Sequence, residues 1–165
     1  MSIEIIRTTG LDPRSLALRT AMDEETFGLY AASFAAMEPA ARERVSAALG
    51  TDQADLVEVV IAVDGGVDVG HAALRALADG GYEVKKVFVP VAARGRGLSR
   101  ILMAAIEEVA RELGESRIVL QTGPKQVEAI ALYAALGYSD IAPFGPYVGL
   151  DDMVFMGKAL QAPTA

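Results

Sequence analysis

The amino-acid sequence predicts an α/β fold with a mixed, mostly antiparallel central sheet flanked by helices. Three observations lead to this prediction: β-branched runs joined by glycine turns, an amphipathic helix after the third run, and another strand after that helix. Glycine turns join antiparallel strands, whereas a strand–helix–strand unit makes its two strands parallel. Of the 165 residues, 52% are hydrophobic and 22% are charged, which is typical of a globular chain.

The first half of the chain predicts a strand, helices and a three-stranded meander. We expect a strand over residues 2–7, and Asp12 followed by Pro13 marks a helix start. One or two helices are expected over residues 13–36 and 39–49, with Gly50 as the stop. The meander strands are expected at 56–63, 67–77 and 82–89, because Asp-Gly-Gly turns at 64–66 and 79–81 separate them.

The second half predicts two strand–helix units and a closing strand. A stripe of apolar residues from Leu98 to Leu113 predicts a helix that ends at Gly114. A strand over residues 116–121 should lie parallel to the third meander strand, and Thr122-Gly123-Pro124 should cap the next helix. A final strand is expected at 152–156. We expect one domain over residues 1–160 and a frayed tail over 161–165.

Composition excludes several classes of function. The chain has no cysteine and one histidine, so thiol nucleophiles, zinc ribbons and iron–sulfur clusters lack their ligands, and no metal is expected. No apolar run reaches the roughly 18 residues of a membrane span, and the N-terminus lacks a signal-peptide pattern. We therefore expect a cytoplasmic protein without a membrane partner. The net charge of −7 argues against nucleic-acid binding.

One segment of this acidic chain is positive. Residues 84–106 contain no acidic residue and five basic ones, namely Lys85, Lys86, Arg94, Arg96 and Arg100. Such a segment indicates a site for an anion. The alternative is a solvated helix start whose arginines pair with Glu107 and Glu108.

A glycine-bearing loop lies inside this positive segment, between a strand and a helix. The amides at a helix start have no internal partner, and glycines let an anion approach them, so this geometry predicts phosphate binding. The loop does not spell the G-x4-G-K-[ST] motif of NTPases, and Arg100 replaces the third glycine of the dinucleotide motif. Two alternatives stay open: a simple turn into a buried helix, and a nucleotide-dependent protein.

Two ordered sequence blocks resemble the GCN5-related N-acetyltransferase (GNAT) family. Arg94-Gly95-Arg96-Gly97-Leu98-Ser99 matches the family signature [Q/R]-x-x-G-x-[G/A] except that a serine stands at the last position. Gln121 to Tyr138 is similar to the family's strand–helix segment that ends in L-Y-x-x-x-G-[F/Y]. With the strand order before them, the two blocks cover most of residues 56–156, whereas the first fifty residues match only as generic helices.

The resemblance implies transfer of an acetyl group from acetyl-CoA to an amine of a small molecule or peptide. It also implies two parallel central strands that splay apart, one ending at Val89 and the other at Gln121. The pyrophosphate of acetyl-CoA would bind the loop amides, and the pantetheine arm would run along the third meander strand. The implied cofactor-binding residues are Val87, Phe88, Val89, Arg94, Gly95, Arg96, Gly97, Leu98, Ser99 and Arg100. A homodimer is one expected assembly, and a catalytically silent acyl-CoA sensor of the same fold is the alternative function.

The resemblance also suggests catalytic residues. Glu83 stands 11 residues before Arg94, similar to the base of the histone-acetylating branch, and Tyr133 matches the family's helix tyrosine, an acid for the leaving thiolate. The alternatives are a strand carboxylate paired to Lys85 or Arg75, and a packing tyrosine. The chain's net acidity favours cationic acceptors.

We also expect four side chains to surround the acceptor: Tyr30, His71, Phe144 and Tyr147. The alternative for His71 is a half-buried residue with its hydrogen bonds satisfied, and the alternative for the aromatic residues is a role as packing anchors.

Overall fold

A computed structural model describes residues 2–161, so the predicted frayed tail lies outside the described residues apart from Gln161. The helices are α1 (Pro13–Ala35), α2 (Pro39–Leu49), α3 (Leu98–Glu112) and α4 (Val127–Ala135). The strands are β1 (Ile3–Thr8), β2 (Leu56–Asp64), β3 (Val67–Ala76), β4 (Tyr82–Phe88), β5 (Arg117–Thr122), β6 (Ser139–Asp140) and β7 (Val154–Ala159). The predicted order of elements is confirmed, with two helices between β1 and β2.

The described strands form one sheet in the order β1-β2-β3-β4-β5-β7-β6. β1 to β4 pair antiparallel through consecutive connections, and β5, β7 and β6 also pair antiparallel. β4 and β5 are parallel, as expected for strands that a helix connects. The mixed, mostly antiparallel sheet is therefore confirmed.

The parallel pairing of β4 and β5 is very short. Only Glu83 opposite Val119 and Val84 opposite Leu120 are in register, so the rest of β4 has no strand partner on its β5 side. A bulge on the β3 side accompanies the separation, because the register shifts between His71 and Ala73 and Lys86 takes a φ of 56°. The predicted splay of the two central strands is thus present.

Helices cover both faces of the sheet. α3 packs on one face through Leu98, Leu102, Met103 and Ile106, all at most 2% exposed, and α4 adds Tyr133 to the same core. α1 covers the other face, where Leu18 joins a smaller core against β2 and β3. α2 lies against the turn at Gly145–Tyr147 in a third cluster. The end of β4 lies between these layers, beside both α1 and α4.

Two element boundaries differ from the prediction by more than two residues, and the others agree within two. β7 extends to Ala159 instead of ending at Met156, because Gly157, Lys158 and Ala159 pair with β5. α4 begins at Val127, later than the predicted cap at Thr122-Gly123-Pro124. The side chain of Gln126 explains the delay, since its Oε1 accepts hydrogen bonds from the Gly123 amide at 3.1 Å and the Thr122 hydroxyl at 2.9 Å.

Candidate active site

The loop before α3 presents backbone amides without an internal acceptor. Gly95 and Gly97 adopt φ angles of 76° and 75°, which an L side chain rarely takes. Among residues 2–161, the amides of Gly95, Gly97, Leu98 and Ser99 donate to no protein group. A Cβ atom on either glycine would meet nothing within 4 Å. The loop therefore offers an open helix N-terminus of the kind that binds anions.

A groove of about 550 Å³ starts at this loop and continues along the open edge of β4 to α4. We call it the loop groove. All of the predicted cofactor-binding residues except Arg96 line it. They are Val87, Phe88, Val89, Arg94, Gly95, Gly97, Leu98, Ser99 and Arg100. The residues that the sequence grouped together thus line one continuous surface.

The cations of the positive segment have partners that the sequence did not indicate. Lys86 donates to Asp23 at 2.7 Å, Arg94 pairs with Glu25 and Arg96 pairs with Asp64. The predicted partner Glu107 instead accepts from Tyr138 and Lys158, and from Arg111 of its own helix. The field of these cations is therefore largely compensated, and the free amides are the main feature that attracts an anion to the loop.

A larger cavity of about 640 Å³ lies between α1, α2 and the separating ends of β4 and β5. It shares part of its lining with the loop groove. The shared residues are Met22, Thr26, Val87, Gln126, Ala129 and Tyr133. A molecule in the loop groove and a second molecule in the larger cavity can therefore meet beside Val87 and Tyr133.

Tyr133 stands at this junction with a buried ring. The residue is 7% exposed, and its ring packs against that of Tyr138 at a centroid distance of 5.8 Å. Its hydroxyl has no hydrogen-bond partner in the part of the chain that the structure describes. Burial raises the pKa of Tyr133 to about 12, so the hydroxyl stays protonated at neutral pH. The structure thus leaves one phenol free to donate into the junction.

Glu83 is fully buried on the α2 side of β4 and lines neither cavity. Arg75 donates to its Oε2 from Nη2 at 2.6 Å and from Nε at 3.0 Å, and the Tyr147 hydroxyl donates to Oε1 at 2.6 Å. Arg75 is held in turn by the carbonyl of Gly50 at 3.1 Å. The sequence alternative of pairing to Arg75 is present, although the pair lies inside the protein and not on its surface.

His71 is also fully buried and lines neither cavity. Its Nδ1 donates to the Lys86 carbonyl at 2.7 Å, so its Nε2 accepts from the Ser15 hydroxyl at 2.9 Å. Burial lowers the pKa of His71 to about 4, and the ring is therefore neutral. The residue fixes the bulge of β4 and faces neither cavity.

The aromatic residues predicted around the acceptor divide into two groups. Tyr30 lines the larger cavity, and its hydroxyl accepts from the Lys125 amide at 3.1 Å. Phe144 and Tyr147 do not line it. Phe144 packs edge to face against Tyr147 and Phe155, and Tyr147 packs against Phe155 with the two rings tilted. Of the four predicted acceptor residues, only Tyr30 therefore lies at the cavity.

The family model described as the Acetyltransferase (GNAT) family matches residues 23–138, which is most of the chain. The chain belongs to this family. It is therefore an enzyme of the acyl-CoA-dependent N-acyltransferase class, with acetyl-CoA as its cosubstrate. The family membership that the two sequence blocks predicted is confirmed.

Similar proteins and solved structures agree with this assignment. The IAA acetyltransferase of Azospirillum brasilense is 42% identical over 63% of this chain and 69% of its own length. A crystal structure assigned to the acyl-CoA N-acyltransferases, from Klebsiella pneumoniae, has a TM-score of 0.75 at 28% identity, over 96% of this chain and 98% of that one. YncA of Salmonella typhimurium, solved with acetyl-CoA as its cofactor, shares the fold with a TM-score of 0.62 at 19% identity, over 100% of this chain and 98% of that one.

Sequence reasoning missed the part of this GNAT site that faces the larger cavity. Lys85 is 7% exposed and lines that cavity, yet it entered the sequence analysis only as a cation and as a partner for Glu83. The available signal was a lysine two residues after a glutamate, which places both side chains on the same face of the strand. The strand alternation would place Val87 on the face of Lys85, but the bulge at Lys86 turns Val87 toward the α3 core.

Neither a metal-binding cluster nor a membrane-spanning helix is present in the described residues. Residues 2–161 contain no group of three or more His, Cys, Asp or Glu side chains placed to hold a metal ion. Within the same range, no helix combines the length and apolar character needed to cross a membrane.

Proposed function

We propose that this enzyme transfers the acetyl group of acetyl-CoA directly to a primary amine of a small molecule or peptide. The observation that carries the proposal is the junction at Tyr133, where the loop groove and the larger cavity share their lining. Direct attack needs both substrates bound at once with the reacting atoms about 3 Å apart. Two cavities that meet at one point provide this arrangement.

The residues of the loop groove fit the cosubstrate. The free amides of Gly95, Gly97, Leu98 and Ser99 are suited to the pyrophosphate, and the Ser99 hydroxyl adds a donor where the family has glycine or alanine. The edge of β4 between Val87 and Val89, which has no strand partner toward β5, is suited to the amide groups of the pantetheine arm. When bound, acetyl-CoA supplies an activated thioester carbonyl.

Tyr133 is the proposed general acid. Its hydroxyl faces the junction without another partner and remains protonated, so it can donate to the sulfur as the thiolate leaves. A phenol that another residue already held would have to break that bond first. The free hydroxyl therefore supports the acid role over the alternative of a packing tyrosine.

The acceptor must lose a proton, because an ammonium group has no lone pair. Glu83 is the base that the sequence predicts, but donors from Arg75 and Tyr147 already occupy its oxygens. This geometry supports a structural role for Glu83, and we propose that water in the larger cavity removes the proton. A cytoplasmic location and a homodimer stay predictions of the sequence analysis.

A two-part experiment tests the function. Isothermal titration measures coenzyme A binding, and thiol release measures acetyl transfer to a panel of primary amines. We expect binding together with amine-dependent thiol release. Binding without transfer to any amine would instead establish the silent acyl-CoA sensor, and the absence of binding at millimolar coenzyme A would overturn the assignment of the loop groove.

A further inference from the structure

The wall of the larger cavity contains a buried ammonium group with few partners. Lys85 lines the cavity and is only 7% exposed. Its Nζ donates to the Tyr147 hydroxyl at 2.9 Å, and it lies 3.7 Å from Oε1 of Glu83, beyond hydrogen-bonding distance. An ammonium group has three N–H donors, and within residues 2–161 only one of them has an acceptor. The remaining donors can therefore bind a group in the cavity.

The charges around Lys85 do not balance. Arg75 and Lys85 are both buried, and the one carboxylate within 4 Å of either among the described residues is that of Glu83. Both oxygens of Glu83 already accept from Arg75 or Tyr147. Burial lowers the pKa of Lys85 to about 8, so the group is still mostly protonated at neutral pH. The cluster thus has one excess positive charge, and a buried charge is costly unless it has a partner.

The other charged groups of the cavity do not supply this partner. Lys86, the neighbouring lysine, is paired with Asp23 on α1. Asp151 and Asp152 line the cavity but are exposed, and neither forms an ion pair with Lys85. Arg44 on α2 adds a second, exposed cation to the lining. The buried wall of the cavity is therefore cationic although the protein as a whole is acidic.

We propose that the acceptor is a short amine that carries a carboxylate, as an amino acid does, and that Lys85 binds this carboxylate. This inference rests on the proposed function, because it assigns the substrate class of the same cavity. Only Lys86 separates Lys85 from Val87, so the Cα atoms of Lys85 and Val87 are at most about 7 Å apart. An amine at the junction can therefore have its carboxylate at Lys85 only if few bonds separate the two groups. The net charge of the chain favours cationic acceptors, but the positive charge on the cavity wall favours an acceptor with a carboxylate.

Matched acceptor pairs test this inference. Phenylalanine and phenylalaninamide, and methionine and methioninamide, differ in charge but hardly in size. Thiol release gives kcat/KM for each member with the wild type and with Lys85→Met. A charge-assisted hydrogen bond predicts that the carboxylate-to-amide ratio falls about tenfold in the variant. The ratio between the two proteins cancels the different basicity of the paired amines.

Lys86→Met is the matched control, since it removes the neighbouring cavity lysine that Asp23 already neutralises. We expect it to leave the carboxylate-to-amide ratio within about twofold. Coenzyme A titration and thermal unfolding of each variant show that the fold and the loop groove are intact. An unchanged ratio in Lys85→Met would overturn the inference, whereas transfer to no amine at all would overturn the proposed function instead.

A second measurement needs no variant. 3-Phenylpropionate, which lacks the amine, should inhibit the wild type in competition with the acceptor, and 3-phenylpropionamide should inhibit at least about tenfold more weakly. Equal inhibition by the acid and the amide would contradict a cationic subsite, even if Lys85→Met failed to fold.

Discussion

A single hydroxyl group connects the two cavities of this protein. The ring of Tyr133 is buried, but its hydroxyl has no partner within residues 2–161. The neighbouring Tyr138 is also buried, and its hydroxyl donates to Glu107 at 3.0 Å. The Tyr133 hydroxyl is not among the buried polar atoms that lack a partner within residues 2–161, so its oxygen is accessible although its ring is buried. An accessible hydroxyl without a protein partner, on a residue that lines both cavities, is available to a substrate.

Tyr133→Phe removes only this hydroxyl. We expect kcat to fall about 100-fold, because the leaving thiolate loses its proton donor, while the dissociation constant of coenzyme A changes less than about twofold. Stopped-flow thiol release and isothermal titration measure the two quantities. Tyr138→Phe is the control: it removes a hydroxyl of the same core, and it should lower stability by about 1–3 kcal/mol with kcat almost unchanged. Equal losses of kcat in the two variants would indicate a packing role for Tyr133.

The Glu83→Gln variant distinguishes between two roles of Glu83, a general base and a structural anion. Because Arg75 and Tyr147 occupy the carboxylate, we expect the variant to lose stability and to show a lower kcat by the same factor at every pH. A general base predicts another result, in which kcat is depressed at neutral pH and recovers as the pH rises. The pH profile of thiol release from pH 6 to 10 distinguishes the two.

At the scale of the elements, the start of α3 determines where an anion can bind. Gly97 gives the helix an N-cap in the left-handed region, and no side chain covers the amides that follow. α1 approaches the same loop from the other side and pairs Glu25 with Arg94. The loop therefore holds a fixed shape through its neighbours while its amides stay open.

Gly97→Ala should weaken coenzyme A binding about tenfold, because the methyl group enters the path of the diphosphate and a positive φ costs an L residue about 1–2 kcal/mol. Isothermal titration measures the change. Gly114→Ala is the matched control, since Gly114 follows α3 at its other end with a φ of 88° and equally open surroundings. Both variants should lose similar stability, and equal losses of coenzyme A affinity would contradict a specific role for Gly97.

At the scale of the whole molecule, buried polar contacts hold separate layers in register. His71 connects Ser15 of α1 to the bulge of β4, and Arg75 connects Glu83 of β4 to the carbonyl of Gly50 after α2. Such contacts join elements that are far apart in the sequence. A change in the protonation of one group can therefore affect the stability of the whole domain.

The stability of the protein should fall as the pH drops below about 6.5. The pKa of His71 is about 4 in the folded protein and 6.5 in an unfolded chain, so the unfolded chain takes up a proton first. His71 therefore leaves the free energy of unfolding unchanged above pH 6.5 and lowers it by about 3 kcal/mol once the pH reaches 4. Urea unfolding of the wild type and of His71→Gln at several pH values measures the difference between them. A difference that did not vary between pH 6.5 and 4 would refute the assignment.

Local signals in the sequence were enough for most of the fold. The sheet could be predicted from the glycine turns, the apolar stripe of α3 and the order of strands and helices. The loop groove could be predicted from the glycine loop. The buried contacts of the site could not be predicted from local signals, because they depend on which residues become buried together. His71 and Tyr147 look like cavity residues in the sequence, but the bulge at Lys86 and the packing of Phe144 place them inside the protein.

The brief contact between β4 and β5 has a mechanical consequence. Only two residue pairs join a four-stranded antiparallel block to a three-stranded one, so few strand contacts hold the two blocks together. A cosubstrate in the loop groove would contact β4 and the start of α3 on one side of this gap and α4, which follows β5, on the other side, and would therefore connect the two blocks. Saturation with that molecule should therefore stiffen the molecule across its middle as well as fill the groove, so that catalytic alignment and domain rigidity arise from the same binding event.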